Sequence, residues 1–93
     1  MSERKRFYCP CCGFDTLDAE PPGTFDICRI CGWEDDNVQF EDPDFSGGAN
    51  VLSLRKYQLN WSKSTYNHPI IQSETEIFGI KYNRKPGWKP LNN

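Results

Sequence analysis

The sequence predicts a small, metal-stabilised α+β domain in which a pair of cysteine turns and a short β-hairpin pack against one main helix. Three observations predict it. Cys9, Cys12, Cys28 and Cys31 fall in the spacing C-x2-C-x15-C-x2-C. The chain has 93 residues, 37% of them hydrophobic, and a mean hydropathy of −0.75. So lean and short a chain builds a thin core and needs a staple. One segment, from about Leu54 to Trp61, carries apolar side chains at helical spacing.

The cysteines come first because the rest is arranged around them. Cys9-Pro10-Cys11-Cys12-Gly13 and Cys28-Arg29-Ile30-Cys31-Gly32 are two copies of C-x-x-C-G. Two thiolates three residues apart reach one ion when the chain between them turns tightly. The glycine that follows supplies the left-handed conformation such a turn needs. Two turns of this kind give four soft ligands, the closed set of a structural zinc site. The expected cofactor is therefore one Zn2+ per chain, held by Cys9, Cys12, Cys28 and Cys31, in a zinc-ribbon or rubredoxin-like knuckle pair. Iron is the alternative, because an all-sulfur tetrahedron suits both metals. Cys11 is surplus: exchanging it for Cys9 or Cys12 breaks the spacing, and it reads as a packed thiol beside the site. Structural zinc is worth on the order of 10–16 kcal/mol in small peptides near neutral pH, enough to hold such a chain together.

Phe7 and Tyr8 lead into the first knuckle as strand residues. Phe14 to Leu17 and Thr24 to Ile27 read as short strands separated by the turn Pro21-Pro22-Gly23, a hairpin-like unit with a knuckle at each end. Phe14, Phe25 and Trp33 are expected to cover the metal. Residues 34–48 are acidic and irregular, with Val38, Phe40 and Phe45 pinning them to the core. Their Asp42-Pro43-Asp44 start is no calcium loop, because Ser53 stands where a bidentate glutamate is required. Ser53 caps the main helix, and Leu54, Tyr57, Gln58 and Trp61 share its inner face. Asn67-His68-Pro69 breaks the pattern. Ser73 to Glu76 fits a capping box for a short helix near 74–78, in competition with a strand from Ile77 to Tyr82. Trp88 either docks back on the domain or stands out as a contact residue. The division is one domain over 1–93, with the ribbon and acidic loop at 7–48, the helix at 49–63 and a C-terminal tail at 64–93.

Several separated blocks carry a resemblance: Cys9-Pro10-Cys11-Cys12-Gly13, Pro21-Pro22-Gly23-Thr24, Cys28-Arg29-Ile30-Cys31-Gly32-Trp33-Glu34-Asp35-Asp36, Gly47-Gly48-Ala49-Asn50 and Ser53-Leu54. Over residues 7–61 the chain resembles the bacterial cysteine-rich CPCC domain family. The resemblance implies a small metal-binding domain and brings little function with it. The tail lies outside it.

Charge narrows the function. The formal charge is −2, and ten of 13 acidic residues lie between Asp15 and Asp44, with Arg29 the only base in that span. Most of the remaining bases sit towards the ends, in Arg4, Lys5 and Arg6 and in Lys81, Arg84, Lys85 and Lys89. Four filled cysteine ligands and a lone histidine, His68, with no visible partner argue against an enzyme. The favoured reading is a non-catalytic zinc-binding scaffold that binds a protein. Glu34, Asp35, Asp36, Glu41, Asp42 and Asp44 form the negative face that steers a basic partner. An immunity or antitoxin-type protein plugging a basic toxin is one form of that reading. Nucleic-acid binding is the alternative and needs the basic ends to converge on one face, with Tyr82 and Trp88 for stacking. Iron in the cluster would instead suit electron transfer. Free thiols in metal spacing, no secretory start and no membrane-length segment point to a cytoplasmic protein without a membrane partner.

Overall fold

The computed structural model describes residues 5–64 and 74–91, with the side chains of 62–64 excepted. Among the described residues four elements occur, in the order α1 (Asn37–Glu41), α2 (Leu54–Ser64), β1 (Glu74–Ile77) and β2 (Ile80–Asn83). The core is built on the cysteines: Cys9, Cys11, Cys12, Cys28 and Cys31 are buried together with Phe14, Leu17, Trp33, Leu54 and Tyr82.

Each knuckle is closed by its own isolated bridge, Phe7 to Leu17 around the first and Ile27 to Glu34 around the second. Inside them the backbone repeats with an offset of 19 residues. Cys9 N–H bonds Phe14 O at 2.8 Å, and Cys28 N–H bonds Trp33 O at 3.0 Å. Gly13 N–H bonds Cys9 O at 2.8 Å, and Gly32 N–H bonds Cys28 O at 2.9 Å. The same five-residue pattern folds the same way twice, and in both copies the aromatic residue after the glycine is fully buried.

The predicted hairpin between the knuckles is corrected. The runs 14–17 and 24–27 do not pair with each other; Phe14 bridges Arg84, and the hairpin is β1–β2, far along the chain. Residues 74–77 are therefore strand and not the helical turn suggested by the capping box. Thr75 and Ile77 alternate with exposed Glu74 and Glu76, and Thr75 pairs Tyr82, whose ring enters the core. Phe78 and Gly79 close the hairpin at φ 52° and 78°, and a two-residue loop with both residues left-handed matches the twist of paired strands. A side chain that packs only after pairing leaves no local helical reward. The predicted break at Asn67-His68-Pro69 lies outside the described residues.

Helix α2 starts as predicted, with Ser53 Oγ accepting from Lys56 N–H at 3.2 Å. It runs a turn further, to Ser64. Its buried face carries Leu54 and Gln58, with Tyr57 and Trp61 half-buried against the core. The acidic segment is also more regular than predicted. Asp36 caps α1 through Oδ1, which accepts from Val38 N–H at 2.9 Å.

The residue that fastens this segment is Gln39, not the three apolar side chains expected to. Val38, Phe40 and Phe45 are exposed, and Gln39 is fully buried. Its Nε2 donates toward four backbone carbonyls, Phe45 at 3.1 Å, Gly47 at 2.9 Å, Asn50 at 3.2 Å and Leu52 at 2.9 Å. Its Oε1 accepts from Trp33 Nε1 at 3.2 Å and from Asn50 Nδ2 at 3.0 Å. The two protons of one amide are thus shared among carbonyls of a loop that pairs with no strand among the described residues. Gln39→Ala is expected to lower stability by on the order of 3 kcal/mol or more, since it strands several buried carbonyls at once. Gln39→Glu keeps the shape but turns the donor into an acceptor, and should cost at least as much. Urea unfolding of the metal-loaded protein measures both, and a Gln39→Glu protein as stable as the native one would contradict this account.

Candidate metal centre

The four ligand candidates meet. The sulfurs of Cys9, Cys12, Cys28 and Cys31 all lie within 4.8 Å of one another. Cys9 to Cys31 is 3.8 Å and Cys12 to Cys28 is 3.5 Å, so each close pair joins one knuckle to the other. A tetrahedral ion with metal–sulfur bonds of about 2.3 Å has a sulfur–sulfur edge of about 3.8 Å, and the donor set fits it. All four residues are buried, at 1%, 0%, 2% and 7% exposure in chain order 9, 12, 28, 31.

The surroundings favour thiolates. Cys11 N–H points to Cys9 Sγ at 3.4 Å, and Ile30 and Cys31 N–H to Cys28 Sγ at 3.3 and 3.4 Å. These are the amide contacts that a tight turn offers a charged sulfur. Thr16 adds a side-chain donor, its hydroxyl 3.0 Å from Cys28 Sγ. Sequence reasoning missed Thr16, which lies in neither knuckle. Gly13 and Gly32 sit at φ 82° and 83°. A side chain on Gly13 would also overlap the Trp88 ring, and one on Gly32 would meet Tyr57 Oη at 2.9 Å. The glycines allow the turn and admit an aromatic cover.

Four sulfurs this close cannot all be charged without a cation among them. Hydrogen bonds from Cys12 first, then from Cys31 and Cys9, drive the Cys28 thiol far below its ordinary range. Burial pushes Cys12 and Cys31 well above theirs. Tyr57, whose hydroxyl donates to Cys31 O at 2.9 Å, is pushed up to about 12, by burial first and the neighbouring cysteine charges second.

The cover differs in part from the prediction. Phe14 and Trp33 are buried on the cluster, but Phe25 stands at φ 61° and 57% exposed. Its backbone is what the fold uses, N–H to Asp35 O at 3.0 Å. The C-terminal segment supplies the missing cover. Arg84 Nε donates to Cys12 O at 2.9 Å, and its guanidinium lies 4.3 Å from the ring centroids of both Phe14 and Trp88. Lys85 N–H bonds Gly13 O at 2.8 Å. Trp88 thus docks on the first knuckle. Cys11 stands outside the four-sulfur cluster, fully buried, with its carbonyl accepting from Gln58 Nε2 at 2.7 Å.

The model of the family described as Cysteine-rich CPCC matches residues 7–70. The chain belongs to the cysteine-rich CPCC family. The match spans both knuckles, the acidic segment and all of α2, and so reaches beyond Trp61. A comparison with curated proteins returns no match. In this CPCC protein the four clustered cysteines can hold a metal ion.

The acidic residues predicted as a partner face do not share one surface. Asp35 and Asp36 are 0% and 4% exposed. Asp35 Oδ2 accepts from Thr24 N–H at 2.9 Å and Thr24 Oγ1 at 2.7 Å, and Asp36 Oδ2 from Ala49 N–H at 3.1 Å. Turns without sheet partners need acceptors, and these carboxylates provide them. Glu34 is half-buried, with its backbone held at both groups by Asn50. Glu41, Asp42 and Asp44 remain exposed, Asp44 in contact with Arg55 Nε at 2.7 Å. The basic ends converge in part. Lys5, Arg6, Arg29 and Lys81 line one open cavity of about 1360 Å³, where Arg6 donates to Lys81 O at 3.0 Å. Arg6 faces Asp15 at 3.4 Å, Arg29 faces Asp18 at 3.8 Å and Lys81 faces Glu74 at 3.2 Å, so most of that charge is balanced. Lys85 lines a different surface, and Arg4 lies outside the described residues.

The sign of the thiol shifts sets a pH dependence. Burial pushes the Cys12 and Cys31 thiols up, so they favour the protonated form, and a metal must expel those protons. Affinity should therefore rise with pH, by about tenfold or more per unit between pH 6 and 8. Competition with a chromophoric chelator at several pH values measures the slope, and a flat profile would mean the cluster is not the site of binding.

Proposed function

We propose that this CPCC protein is a non-catalytic zinc-binding scaffold that acts by binding another protein. The observation that carries the reading is the burial of all four clustered sulfurs, which leaves no open position for a substrate. Zinc is the proposed metal because the closed four-thiolate set is its structural form. Of the acids expected to face a partner, Glu41, Asp42 and the Arg55-paired Asp44 remain exposed and favour a basic partner, for which the basic active site of a toxin is one candidate. Among the described residues no helix is long and apolar enough to cross a membrane, and free thiols in metal spacing suit a reducing cytoplasm.

Native mass spectrometry of gently purified protein tests the reading. One zinc per chain with a second, basic protein retained is the expected result. A chain carrying iron, with the visible absorption of an iron–thiolate centre, would replace the scaffold reading with electron transfer. Strong chelation should also abolish the circular dichroism of the folded domain, because the core is built on the cysteines. Unchanged dichroism in the metal-free protein would remove the staple.

A nucleic-acid reading has one observation in its favour. The cavity lined by Lys5, Arg6, Arg29 and Lys81 also carries Phe78, which is 99% exposed at the hairpin tip. Exposed aromatics beside bases suit single strands. Fluorescence anisotropy with a labelled single-stranded oligonucleotide at low salt decides it. Binding that falls steeply with salt and is lost in Phe78→Ala supports this second reading; no binding at low salt removes it.

A further inference from the structure

The outer side of β2 is closed by the chain itself. Arg6 Nη2 donates to Lys81 O at 3.0 Å, Asp15 N–H donates to Asn83 O at 3.0 Å, and Asn83 N–H donates to Asp15 Oδ1 at 2.8 Å. Lys81 and Asn83 therefore turn their backbone groups away from β1. In an antiparallel pair the residues directly opposite turn theirs away on the other side. Those residues are Glu76, paired with Lys81, and Glu74, paired with Asn83. Their outward N–H and C=O groups have no partner among the described residues. One edge of the hairpin is thus covered, and the other offers a short row of free donors and acceptors, the template for a further strand.

The side chains of β1 select the occupant. Glu74 and Glu76 are exposed on one face, and Thr75 and Ile77 are half-buried on the other. Lys81 meets Glu74 at 3.2 Å, whereas Glu76 has no ion pair among the described residues. A second copy adding edge to edge would set the two glutamates of each chain against those of the other, and like charges directly opposite oppose pairing. A strand with lysine or arginine beside the glutamates, and β-branched residues beside Thr75 and Ile77, reverses the sign of that contact. The acids thus repel self-pairing and attract a basic strand by the same charge. We infer that the outer edge of β1 receives, by strand addition, an extended segment of a partner protein in which basic and apolar residues alternate. The inference rests on the protein-binding reading and names a surface for it. It adds Glu74 and Glu76 to the acids that meet the basic partner.

Two short synthetic peptides test this, one alternating lysine with valine and one alternating glutamate with valine, each titrated into isotope-labelled, metal-loaded protein. The lysine peptide should shift the Glu74 and Glu76 amides and slow their hydrogen exchange by about tenfold or more. The glutamate peptide should leave both unchanged. Glu76→Gln removes the charge and should weaken the lysine peptide several-fold. Glu76→Pro also removes the outward N–H, at an edge position that tolerates proline, and should weaken the peptide by about a further tenfold. Phe78→Ala should leave it unchanged. Circular dichroism of each variant confirms that it is folded. Equal binding of the two peptides, or binding of neither, overturns the inference. Equal loss in Glu76→Gln and Glu76→Pro means that charge alone acts, and overturns strand addition. Glu74 and Glu76 amides already protected from exchange in the protein alone mean that the edge is covered without a partner, and overturn it as well. Shifts confined to the Phe78 cavity do the same, while leaving the binding-module reading standing. Failure of that broader reading has a separate signature, a lone chain in native mass spectrometry.

Discussion

Four cysteine sulfurs share one small, buried volume, and the core of the described residues is built around it. Their mutual repulsion as thiolates is the problem the fold must solve. Part of the solution is local: amide N–H groups in each turn and the Thr16 hydroxyl reach the sulfurs. A cation among the four would supply the rest, since burial pushes the Cys12 and Cys31 thiols well above their ordinary range. On the proposed reading, a closed sulfur tetrahedron would be the nucleus of a core too lean to form by hydrophobic burial alone.

From this centre the structure spreads through backbone carbonyls more than through apolar packing. Cys11 O is held by Gln58 of α2, Cys12 O by Arg84, Gly13 O by Lys85 N–H and Cys31 O by Tyr57. Two knuckles thus offer carbonyls to the main helix and to the C-terminal segment at the same time. Gln39 repeats the device for the segment after the second knuckle, gathering four carbonyls under one amide. A chain with few strands needs such side chains, because each turn carries polar groups that no ladder satisfies. Asp35 and Asp36 belong to the same economy, which is why an acidic run that looks solvated is in part internal.

What was legible in the sequence follows the range of the interactions concerned. The knuckles and α2 are specified by residues a few positions apart, and spacing alone placed Cys9, Cys12, Cys28, Cys31 and the helix from Leu54. Phe14 and Trp33 follow from their position after the knuckle glycines. Thr16, Gln39 and Arg84 were not legible, because each acts on a group brought near only by folding. The hairpin was misplaced for the same reason. Glu74 to Ile77 carries a local helix signal, and what overrides it is the burial of Tyr82, a tertiary contact.

The C-terminal segment links the cysteine cluster to the surface. Arg84 is stacked between Phe14, which the first knuckle buries, and Trp88, which lines an open groove. Loss of the turn at Cys9 to Gly13 would remove the carbonyls that hold Arg84 and Lys85, and with them the wall that Trp88 provides. The cysteine cluster and the position of Trp88 are then two ends of one chain of contacts. On the proposed reading, a metal that holds the knuckles also holds this outer wall in place. The order of the Trp88 segment and the stability of the domain should therefore be lost together as metal is withdrawn, whereas a segment docked independently of the cluster would lose its order separately.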